Sequence, residues 1–120
     1  MFKLKYLLIF IILSSCAGPY TNKDNGSRIE LSEDDTFEVV LDGDANSNYS
    51  WQLGETPSFV VLQLPVVTKT INSEVESTFH FKAISQGEEK ILLIYSNGKE
   101  RKKSFELTVV VGTLGPILSE

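Results

Sequence analysis

Beyond residue 28 the chain is a succession of short runs in which apolar and polar residues largely alternate, with no helical spacing of apolar side chains. Successive side chains of a strand point to opposite faces, so such a run buries one face and leaves the other to water. Thr78-Phe79-His80-Phe81-Lys82-Ala83-Ile84 is the cleanest case. Ile29–Leu31 and Tyr49–Leu53 follow the same pattern, Thr36–Leu41 does so until its end, and the β-rich runs Lys90–Tyr95 and Ser104–Val111 read as the last strands. Phe59–Leu64 and Val66–Ile71 are rich in β-formers and are split by Pro65, which cannot donate to a central ladder. Turn formers fall between the runs, at Ser32-Glu33-Asp34-Asp35, Ser85-Gln86-Gly87-Glu88 and Asn97-Gly98. Seven or eight short strands at this spacing predict an all-β, immunoglobulin-like β-sandwich over residues 28–112.

The N-terminus predicts export. Lys3 and Lys5 precede Tyr6–Leu13, an unbroken apolar run of eight residues, and small residues follow at Ser14, Ser15, Ala17 and Gly18. A bilayer span needs about 20 apolar residues, so the run reads as a signal peptide over 1–15 and not as a membrane helix. Leu13-Ser14-Ser15-Cys16 resembles the bacterial lipobox, whose cysteine takes a diacylglycerol on its thiol and, after cleavage, a further acyl chain on its amine. The resemblance implies a lipid on Cys16 and anchoring in the bacterial cell envelope, outside the cytoplasm. Three acyl chains exceed the two signals that stable anchoring takes. Ala17-Gly18 brings no acidic residue next to the cysteine, which favours the outer membrane. Residues 16–27, polar and rich in turn formers, are expected to form a flexible lipid-anchored tether, and residues 113–120 a short C-terminal tail.

Cys16 is the only cysteine, so once acylated it leaves no thiol for a disulfide, a metal or nucleophilic chemistry. The domain must then hold by core burial alone, which a chain near 100 residues can do. Without residues 1–15 the chain keeps nine basic and sixteen acidic groups, a net charge of −7. That balance argues against a nucleic-acid partner, whose phosphates need a Lys/Arg surface.

Catalysis finds no constellation. His80 is the only histidine, and its neighbours Phe79 and Phe81 point to the opposite face, which turns His80 to solvent. One histidine and no free thiol also leave no zinc set. The carboxylates of Glu33/Asp34/Asp35, Glu74/Glu76 and Glu88/Glu89 fall in turns or on outward faces, where they maintain solubility. Asp42, Asp44, Asn46 and Asn48 alternate like the opening of an EF-hand loop. The match stops there, because Ser47 stands at the glycine position and Leu53 at the bidentate glutamate. No enzyme activity, cofactor or metal is expected.

The same segment, Leu41 to Trp51 (LDGDANSNYSW), resembles the first inhibitory loop of the chagasin family of papain-type cysteine protease inhibitors. The family pattern is Asn-Pro-Thr-Thr-Gly-aromatic-x-Trp after a strand ending in Leu. Without a gap, Asp44 stands at the Asn, Ala45 at the Pro, Asn46 and Ser47 at the two Thr, and Asn48 at the Gly, with Tyr49 the aromatic and Trp51 the tryptophan. Asn tolerates the positive φ that a glycine would take. The later strands, with Phe79-His80-Phe81, Ile94-Tyr95 and Phe105–Val109, extend the likeness over roughly Ile29 to Val111.

The resemblance implies a sandwich that pushes three loops from one end into a peptidase cleft and blocks it sterically. Asp44, Ala45, Asn46, Ser47, Asn48 and Tyr49 would contact the peptidase, and Trp51 would support them from the core. Two departures stand against it. Where the family has Gly-x-Gly-Gly this chain has Asn72-Ser73-Glu74-Val75, and where it has Arg-Pro-aromatic this chain has Ser96-Asn97-Gly98. The expectation is therefore a membrane-anchored inhibitor of papain-type cysteine peptidases. The alternative is a non-inhibitory immunoglobulin-like lipoprotein module of the cell envelope.

Overall fold

The computed structural model describes residues 19–112; the expected signal peptide, Cys16 and the tail at 113–120 lie outside the described residues. Nine strands follow in chain order: β1 Tyr20–Thr21, β2 Ser27–Ser32, β3 Thr36–Asp44, β4 Ser50–Leu53, β5 Val60–Leu62, β6 Val67–Ile71, β7 Glu74–Ala83, β8 Gly87–Ser96 and β9 Arg101–Gly112. One turn of 3-10 helix, Asn22–Asp24, joins β1 to β2. The first sheet runs β1-β3-β7-β5 with β6 also on β7, and the second runs β2-β9-β8-β4. The sandwich is all-β, as the alternation predicts.

Alternation sets the inner faces. On β7, Ser77, Phe79, Phe81 and Ala83 are buried, and on β9 so are Phe105, Leu107, Val109 and Val111. Val39 and Leu41 of β3, Ile91 and Leu93 of β8 and Trp51 of β4 close the same core. Phe37 stacks on its cross-strand partner Phe81 at 5.2 Å, a pairing that adds to simple area burial. His80 lies on the outer face of β7, with its Nδ1 3.2 Å from Glu38 Oε2 on β3. Pro65 falls in the gap between β5 and β6, which share one edge of β7: Leu62 faces Phe81 and Val67 faces Thr78. An edge strand can be broken there because its outer side has no ladder to lose.

The described residues form nine strands beside the seven or eight read from the sequence, and the added one is β1. Tyr20 and Thr21 pair in parallel with Val39 and Val40, and the Tyr20 ring meets Phe37 edge-on at 6.0 Å. The turn formers that suggested a linker instead satisfy backbone groups. Asn22 Oδ1 accepts the Asp42 amide, Asn25 Oδ1 accepts the Glu106 amide, and Ser27 already pairs with Leu107. A two-residue strand is too short to display a period, which is why alternation does not announce it.

Phe79 is fully buried at the centre of β7, whereas Thr68 is exposed on β6. Phe79→Ala should cost about 3–5 kcal/mol of stability, while Thr68→Ala stays within about 0.5 kcal/mol. Urea denaturation of the two variants measures the contrast.

Candidate functional site

The ladder registers bring three turns to one pole. Asp44 at the end of β3 faces Glu74 at the start of β7, Ile71 closes β6 on the same Glu74, and Ser50 at the start of β4 faces Ser96 at the end of β8. Residues 45–49 therefore cross between the sheets. Residues 72–73 turn beside them on the first sheet, and residues 97–100 on the second.

The crossing loop is built over Tyr95. This side chain ends the buried row Ile91, Leu93, Tyr95 and is only 4% exposed. Its hydroxyl accepts the Asp44 amide at 2.8 Å and lies 3.3 Å from Ser47 Oγ. Ser47 Oγ donates to the Asp44 carbonyl and accepts the Tyr49 amide, while Asp44 Oδ1 accepts the Asn46 amide. The Asp44 and Ser47 side chains thus satisfy backbone of their own loop. Gly43 permits the arrangement, since a Cβ there would sit 2.9 Å from Tyr95 Cε1.

Aromatic rings continue the support. Tyr49 stacks on Tyr95 at 5.5 Å and Trp51 tilts against Tyr95 at 5.1 Å. Trp51 is 6% exposed, and its Nε1 donates to the Asp42 carbonyl at 3.0 Å, so it packs in the core and also holds the strand leading into the loop. The ladder slips between Tyr95 and Ser96: Tyr95 pairs with Lys103 and Ser96 with Arg101, leaving Lys102 as the extra residue. A bulge of this kind re-aims side chains. Lys102 Nζ lies 5.0 Å from the Tyr49 ring centre and Lys103 Nζ 5.0 Å from that of Tyr95.

Hydrogen bonds join the loop to both neighbours. The Ala45 amide donates to the Ser73 carbonyl at 2.9 Å, and the Tyr49 hydroxyl donates to Glu100 Oε1 at 3.1 Å. The Glu100 hydrogen bond, with smaller contributions from burial and the Glu100 charge, holds the Tyr49 phenol above its ordinary pKa. Asn97 Oδ1 accepts the amides of Lys99 and Glu100 and shapes the third turn. The left-handed backbone expected at Asn48 is not there; it falls at Asn72, φ 58°, in the two-residue turn between β6 and β7.

The structure thus gathers Asp44, Ala45, Asn46, Ser47, Asn48, Tyr49 and Trp51 at one pole. Asp44, Asn46 and Asn48 are exposed, and Ala45, Ser47 and Tyr49 are half-buried. Sequence reasoning missed Tyr95 as the support of the loop. Its signal was an aromatic with a polar end closing a buried alternating row at the strand terminus. Gly43, Glu100 and the Lys102 bulge had no signal that spacing alone could carry.

A sandwich whose crossing loop is braced from below and flanked by two turns defines a loop-presenting immunoglobulin-like binding module. The family model described as "Chagasin family peptidase inhibitor I42" matches residues 30–110, and the chain belongs to that family, whose members are peptidase inhibitors and not enzymes. Among solved structures, the cysteine protease inhibitor EhICP2 of Entamoeba histolytica is similar at 23% identity, with a TM-score of 0.67 over 79% of this chain and 94% of that one. Amebosin, in its solution structure, is similar at 20% identity, with a TM-score of 0.63 over 82% of this chain and 100% of that one. A search of the curated proteins finds no match. These likenesses show the same fold.

Tyr95→Phe keeps the ring and removes the hydroxyl that accepts the Asp44 amide. The variant should lose about 1 kcal/mol of stability, and amide exchange should quicken at Asp44 and Tyr49 while the amides of Leu107 and Val109 keep their protection. Hydrogen exchange read residue by residue by NMR tests it.

Proposed function

We propose that this protein is a membrane-anchored inhibitor of papain-type cysteine peptidases, acting outside the cytoplasm by inserting the Asp44–Tyr49 loop into the active-site cleft. One observation carries the reading. The loop that corresponds to the family's first inhibitory loop is prearranged, tied to Tyr95 beneath it and to the turns on both sides. A loop already held in its bound shape loses little conformational freedom on docking, so more of its contact energy appears as affinity. Steric occupation of a cleft needs no catalytic group, in keeping with a site built from Asp44, Asn46, Ser47 and Asn48. The two flanking turns contribute shape, with Asn72-Ser73 on one side and Asn97–Glu100 on the other, in place of the family's Gly-rich and Arg-Pro-aromatic sequences.

Those replacements favour a second reading, a non-inhibitory envelope module that kept the fold. Arg and aromatic anchors are typical hot spots worth roughly 2 kcal/mol each or more, so losing two would weaken binding on the order of 10³-fold.

Titration of papain with the domain separates the readings. Inhibition at micromolar levels or tighter, lost when Asn46, Ser47 and Asn48 become alanine, is the expected result. An uninhibited enzyme at millimolar domain would leave the envelope module. The anchor has its own test: the native chain should partition with outer-membrane lipid and carry acyl mass on Cys16, and Cys16→Ser should move it to the soluble fraction. A Cys16→Ser protein still held in the membrane would remove the lipid anchor.

A further inference from the structure

The loop-bearing pole is electrically divided. On the second sheet, residues 99–103 place Lys99, Arg101, Lys102 and Lys103 around a single acid, Glu100. All four cations are exposed, and none forms an ion pair within 4.0 Å among the described residues, unlike Arg28, Lys82 and Lys90 elsewhere. On the first sheet, Asp42, Asp44, Glu74 and Glu76 cluster beside the crossing loop, with Lys69 registered opposite Glu76. A cleft of about 350 Å³ separates the two groups, with Asp42, Asp44 and Glu74 on one wall, Lys102 and Lys103 on the other, and Tyr95 between them.

Four of the eleven basic residues of a chain with net charge −5 thus stand within five positions, beside the loop and away from neutralising partners. The Lys102 bulge adds one cation to the face that an even ladder would turn away. Exposed charges at the rim of an interface act mainly through encounter rate and orientation.

Resting on the inhibitor reading above, we propose that this charge division selects the partner and sets its orientation: a papain-type peptidase whose cleft wall over the β8–β9 turn is acidic and whose opposite wall is basic or neutral. The field turns an approaching cleft so that its acidic wall meets Lys99 and Arg101, and a peptidase with the reverse polarity docks slowly.

Stopped-flow association with papain and with two papain variants, each carrying three added acidic residues on one wall of the cleft or on the other, tests the proposal. At low salt one acidic-wall variant should associate about 10-fold faster than papain and the other slower, and the difference should shrink at 0.3 M salt. Lys99→Glu combined with Arg101→Glu should reverse the preference between the walls. These two side chains leave the aromatic contacts of Lys102 and Lys103 in place, and an unchanged melting temperature confirms the fold. Equal association with both wall variants, or a preference that survives the reversal, overturns the proposal while leaving inhibition standing. No complex with papain or either variant, at any salt, removes the inhibitor reading and this proposal with it.

Discussion

The hydrogen bond from the Asp44 amide to the Tyr95 hydroxyl joins two requirements that usually compete. A binding loop must project from the domain, and a projecting loop gains shape only from contacts with something rigid. Tyr95 is anchored by its ring in the row that Ile91 and Leu93 begin, and its oxygen emerges where β3 ends. A phenylalanine would fill the same space and leave the amide to water. The apolar ring binds the loop to the stability of the core, and the single polar atom gives the loop its direction. Gly43 is the complementary part, since only a residue lacking Cβ lets β3 lie this close to the ring.

Below that contact the fold follows from pairing. β3 climbs the first sheet toward the pole and β4 descends the second, so the segment between them has to cross the open end of the sandwich. Its neighbours come from the chain's other sheet-end turns, which is why three stretches far apart in sequence meet. β1 and β2 add the parallel partners of β3 and β9. They thereby tie the first described residues into both sheets, with the 3-10 turn at Asn22–Asp24 carrying the chain from one to the other.

Much of this was legible in the sequence, for reasons specific to each part. The long strands declare themselves through Phe79, Phe81 and Ala83 or through Phe105, Leu107, Val109 and Val111, because a half-buried sheet imposes period two. The crossing loop was legible through the family resemblance, whose pattern the segment up to Trp51 matches without a gap. β1 was not, because two residues contain no period and because Asn22 and Asn25 act through long-range hydrogen bonds that composition reads as linker. The backbone at Asn48 was misjudged for a related reason. The likeness to a glycine position suggested a positive φ, but in this chain the Ser47 hydroxyl accepts the Tyr49 amide, and the loop turns without a left-handed residue. Local hydrogen bonding had taken over the work of a backbone conformation.

The same substitution of means bears on how the chain could bind without the family's flanking anchors. Affinity depends on contact energy less the cost of ordering, so a loop lacking an Arg or aromatic side chain can recover part of the loss by needing less ordering. Here the loop is fastened at Ala45, Asp44, Ser47 and Tyr49, through donors and acceptors on three separate segments. Hydrogen bonds of about 1 kcal/mol each cannot replace a buried arginine fork one for one, but they act on a different quantity, the population of a single loop shape in the free protein. Charge at the rim of the proposed interface would act on a third, the rate of encounter. An interface assembled this way would owe its specificity to shape and field spread across the pole more than to any one deep contact.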